Sequence, residues 1–177
     1  MMKAVLRGMN VIETERLSLR EMSEADAEFV LEVLNDPDFK RNVADRGVRT
    51  LEDARRFISE RFVESYRRNG FGLWLVETKD GKLPAGICGL VKREQLPGVD
   101  IGYAFLPPFR SKGYARESAS AVLRHAREAL GIGRLYAIVN PDNAGSIRVL
   151  EKLGMKFERM VRLSADEPEV KLFSADL

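Results

Sequence analysis

With 177 residues, 45% of them hydrophobic and 32% charged, the chain suits one globular domain large enough to bury its own core. Its 29 basic and 27 acidic residues leave a net charge of +2, too balanced for nucleic-acid binding by electrostatics alone, and no run approaches the ~20 apolar residues of a membrane span. Cys88 is the single cysteine, so there is no disulfide framework and a reducing, cytoplasmic setting is expected.

Residues 1–12 carry no clear element and are expected to be flexible, and the basic start of Met1–Arg7 is not followed by the apolar core of a leader. Arg16-Leu17-Ser18-Leu19-Arg20 alternates polar and apolar residues, as a half-buried strand does. Ser23 opens a helix with Asp26 three positions on, an imperfect capping box, and the helix carries Phe29, Val30, Val33 and Leu34 before stopping at Asn35-Asp36-Pro37. Residues 36–49 read as polar and irregular. Thr50 caps a second helix that runs to Asn69-Gly70. The segments 71–78, 85–93 and 99–106 then form three strands, the first two joined by a two-residue Asp80-Gly81 turn, which makes an antiparallel meander. Cys88 sits in the apolar run of the second and reads as a buried thiol.

Beyond Pro107-Pro108-Phe109 a long helix covers 114–130, with Ala115, Ala119, Val122, Leu123, Ala126 and Leu130 on one face. His125 falls on its flank and is expected to be exposed. A strand at 135–139, a helix from Asn143 to Leu153-Gly154 and two closing strands, 156–163 and 169–175, complete the chain. The strand–helix–strand passage requires a parallel pair with helices packed on the sheet. The whole reads as α/β: a mixed, mostly antiparallel sheet of six to seven strands with about four helices.

The most informative stretch is Ile101-Gly102-Tyr103-Ala104-Phe105-Leu106-Pro107-Pro108-Phe109-Arg110-Ser111-Lys112-Gly113-Tyr114-Ala115, where a strand enters a basic loop and the loop enters a helix. The first turn of a helix offers free backbone N–H groups and a partial positive charge, which suit a phosphate. Gly113 lets a ligand approach the main chain, and Arg110 and Lys112 add charge. A tight turn with surface cations opening an ordinary helix is the plainer alternative. Neither a Walker loop nor the dinucleotide fingerprint is present.

This strand, Arg-x-x-Gly-x-Ala and long helix resemble the acetyl-CoA motif of the GNAT N-acetyltransferases. Asn140-Pro141-Asp142-Asn143-Ala144-Gly145-Ser146, followed by Lys152-Leu153-Gly154-Met155, resembles the family's next segment. Glu13-Thr14-Glu15-Arg16-Leu17-Ser18-Leu19-Arg20 is similar to the opening strand of the branch that acetylates ribosomal-protein N-termini. The resemblance runs from about residue 13 to 175. It implies a splayed central parallel pair with the pantetheine arm lying between the strands. It also implies direct transfer of acetyl from acetyl-CoA to a primary amine in a ternary complex, the amine belonging to a protein N-terminus or a small molecule.

Carried onto this chain, the resemblance puts the pyrophosphate at Arg110, Ser111, Lys112, Gly113, Tyr114 and Ala115, and the pantetheine along Ala104, Phe105 and Leu106, with Asn140 and Asn143 as further contacts. Many family members use a tyrosine at the position of Leu150 to protonate the leaving thiolate, a role leucine cannot fill. Ser146 takes that place as the candidate donor, directly or through water; capping its own helix is the simpler role. Asp100 stands where relatives often have Glu and is the candidate base, against a simpler reading as an exposed acid at a strand start. An α-amine titrates near ~7.7–8.0, so it needs little help at neutral pH. Tyr103 and Trp74 are candidate walls of the acceptor site, Tyr103 having core packing as its alternative. Asp36, Asp38 and Asp45 could attract a cationic amine, or simply face solvent. No metal is expected, because one histidine and one cysteine do not make a zinc site. The absent tyrosine leaves an alternative function open, a non-catalytic acetyl-CoA sensor or interaction module. No direct nucleic-acid or membrane partner is expected, and closing strands of this kind can pair across a homodimer.

Overall fold

A computed structural model describes residues 8–177; the readings of the first seven residues lie outside them. Among the described residues, eight strands form one sheet in the order β1-β2-β3-β4-β5-β6-β8-β7, slightly larger than the sequence suggests. The added strand is β1 (Asn10–Glu13), which pairs with β2 (Leu17–Arg20) at the edge of the sheet, so the flexible lead-in expected over 1–12 does not extend through Asn10. With Ile12 its only buried residue, β1 is too short to show a period.

Strands β3 (Leu73–Thr78), β4 (Pro84–Val91) and β5 (Asp100–Phe105) continue the antiparallel ladder. The β3–β4 turn is longer than two residues. Thr78 N donates to Leu83 O at 2.9 Å, enclosing the four residues between, with Gly81 and Lys82 at positive φ. Both faces of β3 and β4 are covered, which is why they read as continuous apolar runs.

One face carries α1 (Ala27–Asn35), α3 (Leu51–Phe57) and α4 (Glu64–Asn69); Phe29 and Val33 of α1, with Ile58 and Phe62 from the segment between α3 and α4, pack with Leu75 and Ile87. A wider π-helical stretch, Ile58–Val63, joins α3 to α4. The other face carries α5 (Tyr114–Glu128), whose Ala119, Val122 and Ala126 pack in one cluster with Leu19, Trp74, Cys88 and Leu90. Cys88 is fully buried there, and burial pushes its thiol up to about 12.

The cap at Ser23 is complete: Asp26 Oδ2 accepts from Ser23 N at 3.0 Å, while the Ser23 hydroxyl accepts from Ala25 N at 3.3 Å. Residues 36–49 hold a helix the sequence reading passed over, α2 (Pro37–Asn42). Its signal lies in Asp36-Pro37, which ends α1 and also starts α2: Asp36 Oδ2 accepts from Phe39 N at 3.1 Å and Pro37 fills the first position.

The decisive feature is the parallel pair. β5 and β6 (Arg134–Val139) share one register pair, Asp100 with Tyr136, reinforced by Tyr136 N donating to Val99 O at 3.0 Å. Beyond that point the strands part, and among the described residues Ile101 to Phe105 have no strand partner on that edge. β6 pairs instead along its full length with β8 (Val170–Asp176), and β7 (Lys156–Val161) closes the sheet.

Candidate active site

Where β5 and β6 diverge, the opening is bordered by α2, the β5–α5 loop and α6 (Ala144–Lys152). Two cavities, about 380 and 620 Å³, lie there and share Phe39, Asn42, Val43, Tyr103, Ala104, Asn143 and Ser146 in their walls. Those shared residues mark where reactants from the two sides would meet.

The larger cavity runs along Tyr103, Ala104, Phe105 and Leu106 to the start of α5. Ser111 (φ 59) and Gly113 (φ 81) both take left-handed backbone, which turns the chain sharply into the helix. Gly113 occupies the N-cap, and among the described residues no side chain caps the amides of the first turn. The turn is held from behind. Glu117 accepts from Thr14 Oγ1 at 2.7 Å and from Arg16 Nε at 2.7 Å, and Arg16 Nη1 donates to Lys112 O at 2.9 Å. The Arg16 guanidinium also lies 4.7 Å above the Tyr114 ring. Arg16, which immediately precedes β2 in the sequence, thereby supports the loop.

Arg110 differs from expectation. Its guanidinium pairs with Asp36 and Asp38, both at 2.6 Å, and its Nε donates to Phe105 O at 2.9 Å. Two carboxylates therefore match its charge, and it ties α2 to the end of β5. Lys112 and Arg116 form no ion pair among the described residues, and Arg116, which the sequence reading did not single out, lines the cavity. It is the next cation after the motif and lies in the same first turn. Asp36, Asp38 and Asp45 are all engaged, Asp45 with Arg49 at 2.6 Å, so none is free to draw in an amine.

The smaller cavity is lined by Arg46, Arg93, Asp100, Tyr103, Ser146 and Glu167. Asp100 is not an exposed strand-start acid: only 1% of its surface is accessible. Burial pushes its carboxyl up to about 6 against the opposing pull of Arg93. Arg93 Nε lies 3.3 Å from both oxygens, yet the angle to Oδ1 is too poor for a hydrogen bond and Oδ1 has no other partner among the described residues. A buried carboxylate with one unmatched oxygen in a cavity is poised to accept a proton.

At the junction, Tyr103 Oη lies 2.9 Å from Ser146 Oγ and 3.2 Å from Ser146 O. The cap of α6 is Asn143, whose Oδ1 accepts from Ser146 N at 3.2 Å, so the Ser146 hydroxyl serves Tyr103 and not the helix end. Burial pushes the Tyr103 phenol up to about 12, which keeps its proton on. Leu150 lies on the same helix, buried to 1%, and lines the smaller cavity. Asn140 spans the turn before α6, its side chain accepting from Asp142 N at 3.3 Å and its carbonyl from Asn143 N at 2.9 Å.

Trp74 does not reach either cavity. Strand alternation turns it to the opposite face, where it is 1% exposed and meets His125 edge-on at 5.5 Å; its neighbour Leu73 lines the smaller cavity instead. His125 is accordingly half-buried and packed, not free on the helix flank, and burial lowers its proton affinity.

The family profile described as an acetyltransferase (GNAT) domain matches residues 16–156. The chain belongs to the GNAT acetyltransferase family. It is thus an acyltransferase, of the mixed α/β GNAT fold. Among its relatives, the Bacillus subtilis protein YkkB, whose activity is uncharacterized, is 32% identical over 154 residues, covering 84% of this chain and 87% of YkkB. A GNAT acetyltransferase structure from Bacillus anthracis superposes with a TM-score of 0.77 at 28% identity, over 93% of this chain and 97% of that one. RimL, an α-N-acetyltransferase of ribosomal protein L7/L12 solved with coenzyme A, shares the fold at TM-score 0.82 and 18% identity, over 96% and 98% of the two chains. No helix of the described residues is long and apolar enough to cross a membrane.

Proposed function

We propose that this GNAT protein transfers acetyl from acetyl-CoA to a primary amine, taking the donor in the larger cavity and the acceptor in the smaller one. The observation that carries the reading is their junction: Tyr103 and Ser146 are hydrogen-bonded to each other and belong to both walls. The unpartnered edge of β5 suits a pantetheine amide arm, and the uncovered first turn of α5 with Lys112 and Arg116 suits a pyrophosphate. RimL, captured with coenzyme A, and the fold it shares support the choice of donor.

In this reading Asp100 accepts the amine proton, directly or through water. The amine attacks the thioester carbonyl, and the Ser146 hydroxyl, hydrogen-bonded to Tyr103, protonates the departing thiolate. Ser146 alone is a weak acid; its link to Tyr103 lets a phenol supply the proton behind it. That pair fills the role left vacant by Leu150. An α-amine, part of a peptide N-terminus or of a small molecule, suits so mild a base as Asp100.

Calorimetric titration of acetyl-CoA, followed by release of free thiol with a panel of primary amines, tests the proposal. Binding with amine-dependent thiol release is expected. No binding, or binding with no amine-dependent release, would overturn it.

A further inference from the structure

The charge of the smaller cavity runs against what the sequence leads one to expect. Its lining acids are two: Asp100, which Arg93 faces, and Glu167, on the exposed segment before β8. Arg46 stands apart. It lines the cavity, and among the described residues it makes no hydrogen bond or ion pair. Arg93 and Arg61 act on it as like charges, with only Glu167 in opposition. Although Arg46 is open to solvent, enough protein surrounds it that burial, followed by those two arginines, lowers its proton affinity. A guanidinium does not shed its proton at any biological pH, so it stays charged where its surroundings disfavour charge. An incoming anion relieves that.

The loop under Arg46 is well braced. Asp45 Oδ1 accepts from Gly47 N at 2.9 Å, Gly47 takes a positive φ of 71°, and Asn35 Nδ2 donates to Val48 O at 2.9 Å from α1. Val48 is buried at 5% exposure, which anchors the loop to the core. The arginine therefore projects from a fixed support over the cavity that holds the candidate base.

We propose that Arg46 receives a carboxylate of the acceptor, so that the enzyme acts on amines carrying an acidic group a short distance from the nitrogen. The assignment rests on the acetyl-transfer reading above. Charge counting favours a single negative charge: Arg46 and Arg61 exceed Glu167 by one, and Arg93 cancels ionised Asp100. Bidentate pairing with a planar carboxylate also fits the guanidinium fork. The amine then points toward Asp100 and the carboxylate toward Arg46. Two sources offer this chemistry, a free amino acid or a peptide N-terminus followed by an acidic side chain.

Two matched acceptor pairs separate them: serine against serinamide, and the C-terminally amidated tripeptides Ser-Glu-Ala and Ser-Gln-Ala. With wild-type enzyme and saturating acetyl-CoA, the carboxylate-bearing member of one pair should show at least tenfold higher kcat/KM, and the pair that does so identifies the source. Arg46→Gln should abolish that preference chiefly by raising KM for the acidic member, with acetyl-CoA affinity retained. Arg46→Glu should invert it. Equal kcat/KM within both pairs, a preference that survives Arg46→Gln, or acetyl-CoA binding with no turnover of either acidic acceptor would overturn the carboxylate assignment alone. Failure to bind acetyl-CoA at all would overturn the acetyl-transfer reading beneath it.

Discussion

The two halves of the cleft are built by different means. The donor side is mainly main chain from one continuous segment, Tyr103 to Arg116, with turned backbone at Ser111 and Gly113 and open amides at the start of α5. The acceptor side is side chains from separate places: Arg46 on the loop after α2, Arg93 and Asp100 around the β4–β5 connection, Ser146 on α6 and Glu167 before β8. A main-chain site tolerates change around it and recurs wherever the loop recurs. A side-chain site changes with each substitution. One fold can thus keep its donor and vary its acceptor.

The largest effect that would break this contrast concerns Gly113. Gly113→Glu should weaken acetyl-CoA binding by roughly 100-fold or more, since it forces a side chain into left-handed backbone and drives a carboxylate against Arg16, whose guanidinium braces the loop. Gly113→Ala separates the two causes: backbone strain of about 1–2 kcal/mol predicts roughly a tenfold loss. Calorimetry on folded variants reads both, and full binding by Gly113→Glu would remove the phosphate from this loop.

Asp100 comes next. Asp100→Asn should lower kcat by about 10²–10⁴-fold, the usual scale for a positioned base. In the wild type, activity should rise with pH through about 6 as Asp100 loses its proton beside Arg93, Arg46 and Glu167, and the variant should lack that limb. Stability runs the other way. The folded carboxyl titrates above its unfolded value near ~3.9, so the folded form holds the proton more tightly; stability is greatest below about pH 4 for this group and is lost as pH rises toward about 6. A wild-type rate profile identical to that of Asp100→Asn would exclude it as the base.

Tyr103 and Ser146 test whether the junction acts as one unit. Tyr103→Phe and Ser146→Ala should each reduce kcat by roughly 10- to 100-fold, and the double variant should be scarcely worse than either single one. Losses that multiply would show independent roles.

The smallest binding effect belongs to Arg110. Because Asp36 and Asp38 already match its charge, Arg110→Ala should change acetyl-CoA affinity no more than a few-fold. It should instead cost about 1–2 kcal/mol of stability, by leaving mostly buried Asp36 without its partner. A chemical-denaturation midpoint measures this, and a hundredfold loss of affinity would return Arg110 to the phosphates.

The same division explains what could be read in advance. The donor loop was legible because glycine, cations and a helix start sit next to one another in the chain, and the helix-and-strand order of the second half followed from its period and stops. Strand β1 was hidden by its shortness, and α2 by Asp36-Pro37, which reads as an ending until Phe39 N is seen donating to Asp36. Trp74 was placed on the wrong side of its strand, because a run buried on both faces gives no alternation to say which residue points where. Arg46 was silent. An arginine in a polar loop looks like any solvated cation, and only the folded chain sets it beside Arg93 and over Asp100's cavity.

Glu117 accepting from Arg16, 101 positions away in sequence, has a consequence for how the protein matures. Closing a loop of that length costs on the order of 4 kcal/mol in chain entropy, a debt that local helix formation in α5 does not cover. During synthesis the motif from Arg110 to Ala115 leaves the ribosome before Glu117 does, with Arg16 long since emerged and waiting. The cradle therefore depends on a long-range contact, and a fragment that began after β2 would keep every residue of the phosphate motif while losing the arginine that holds it in shape.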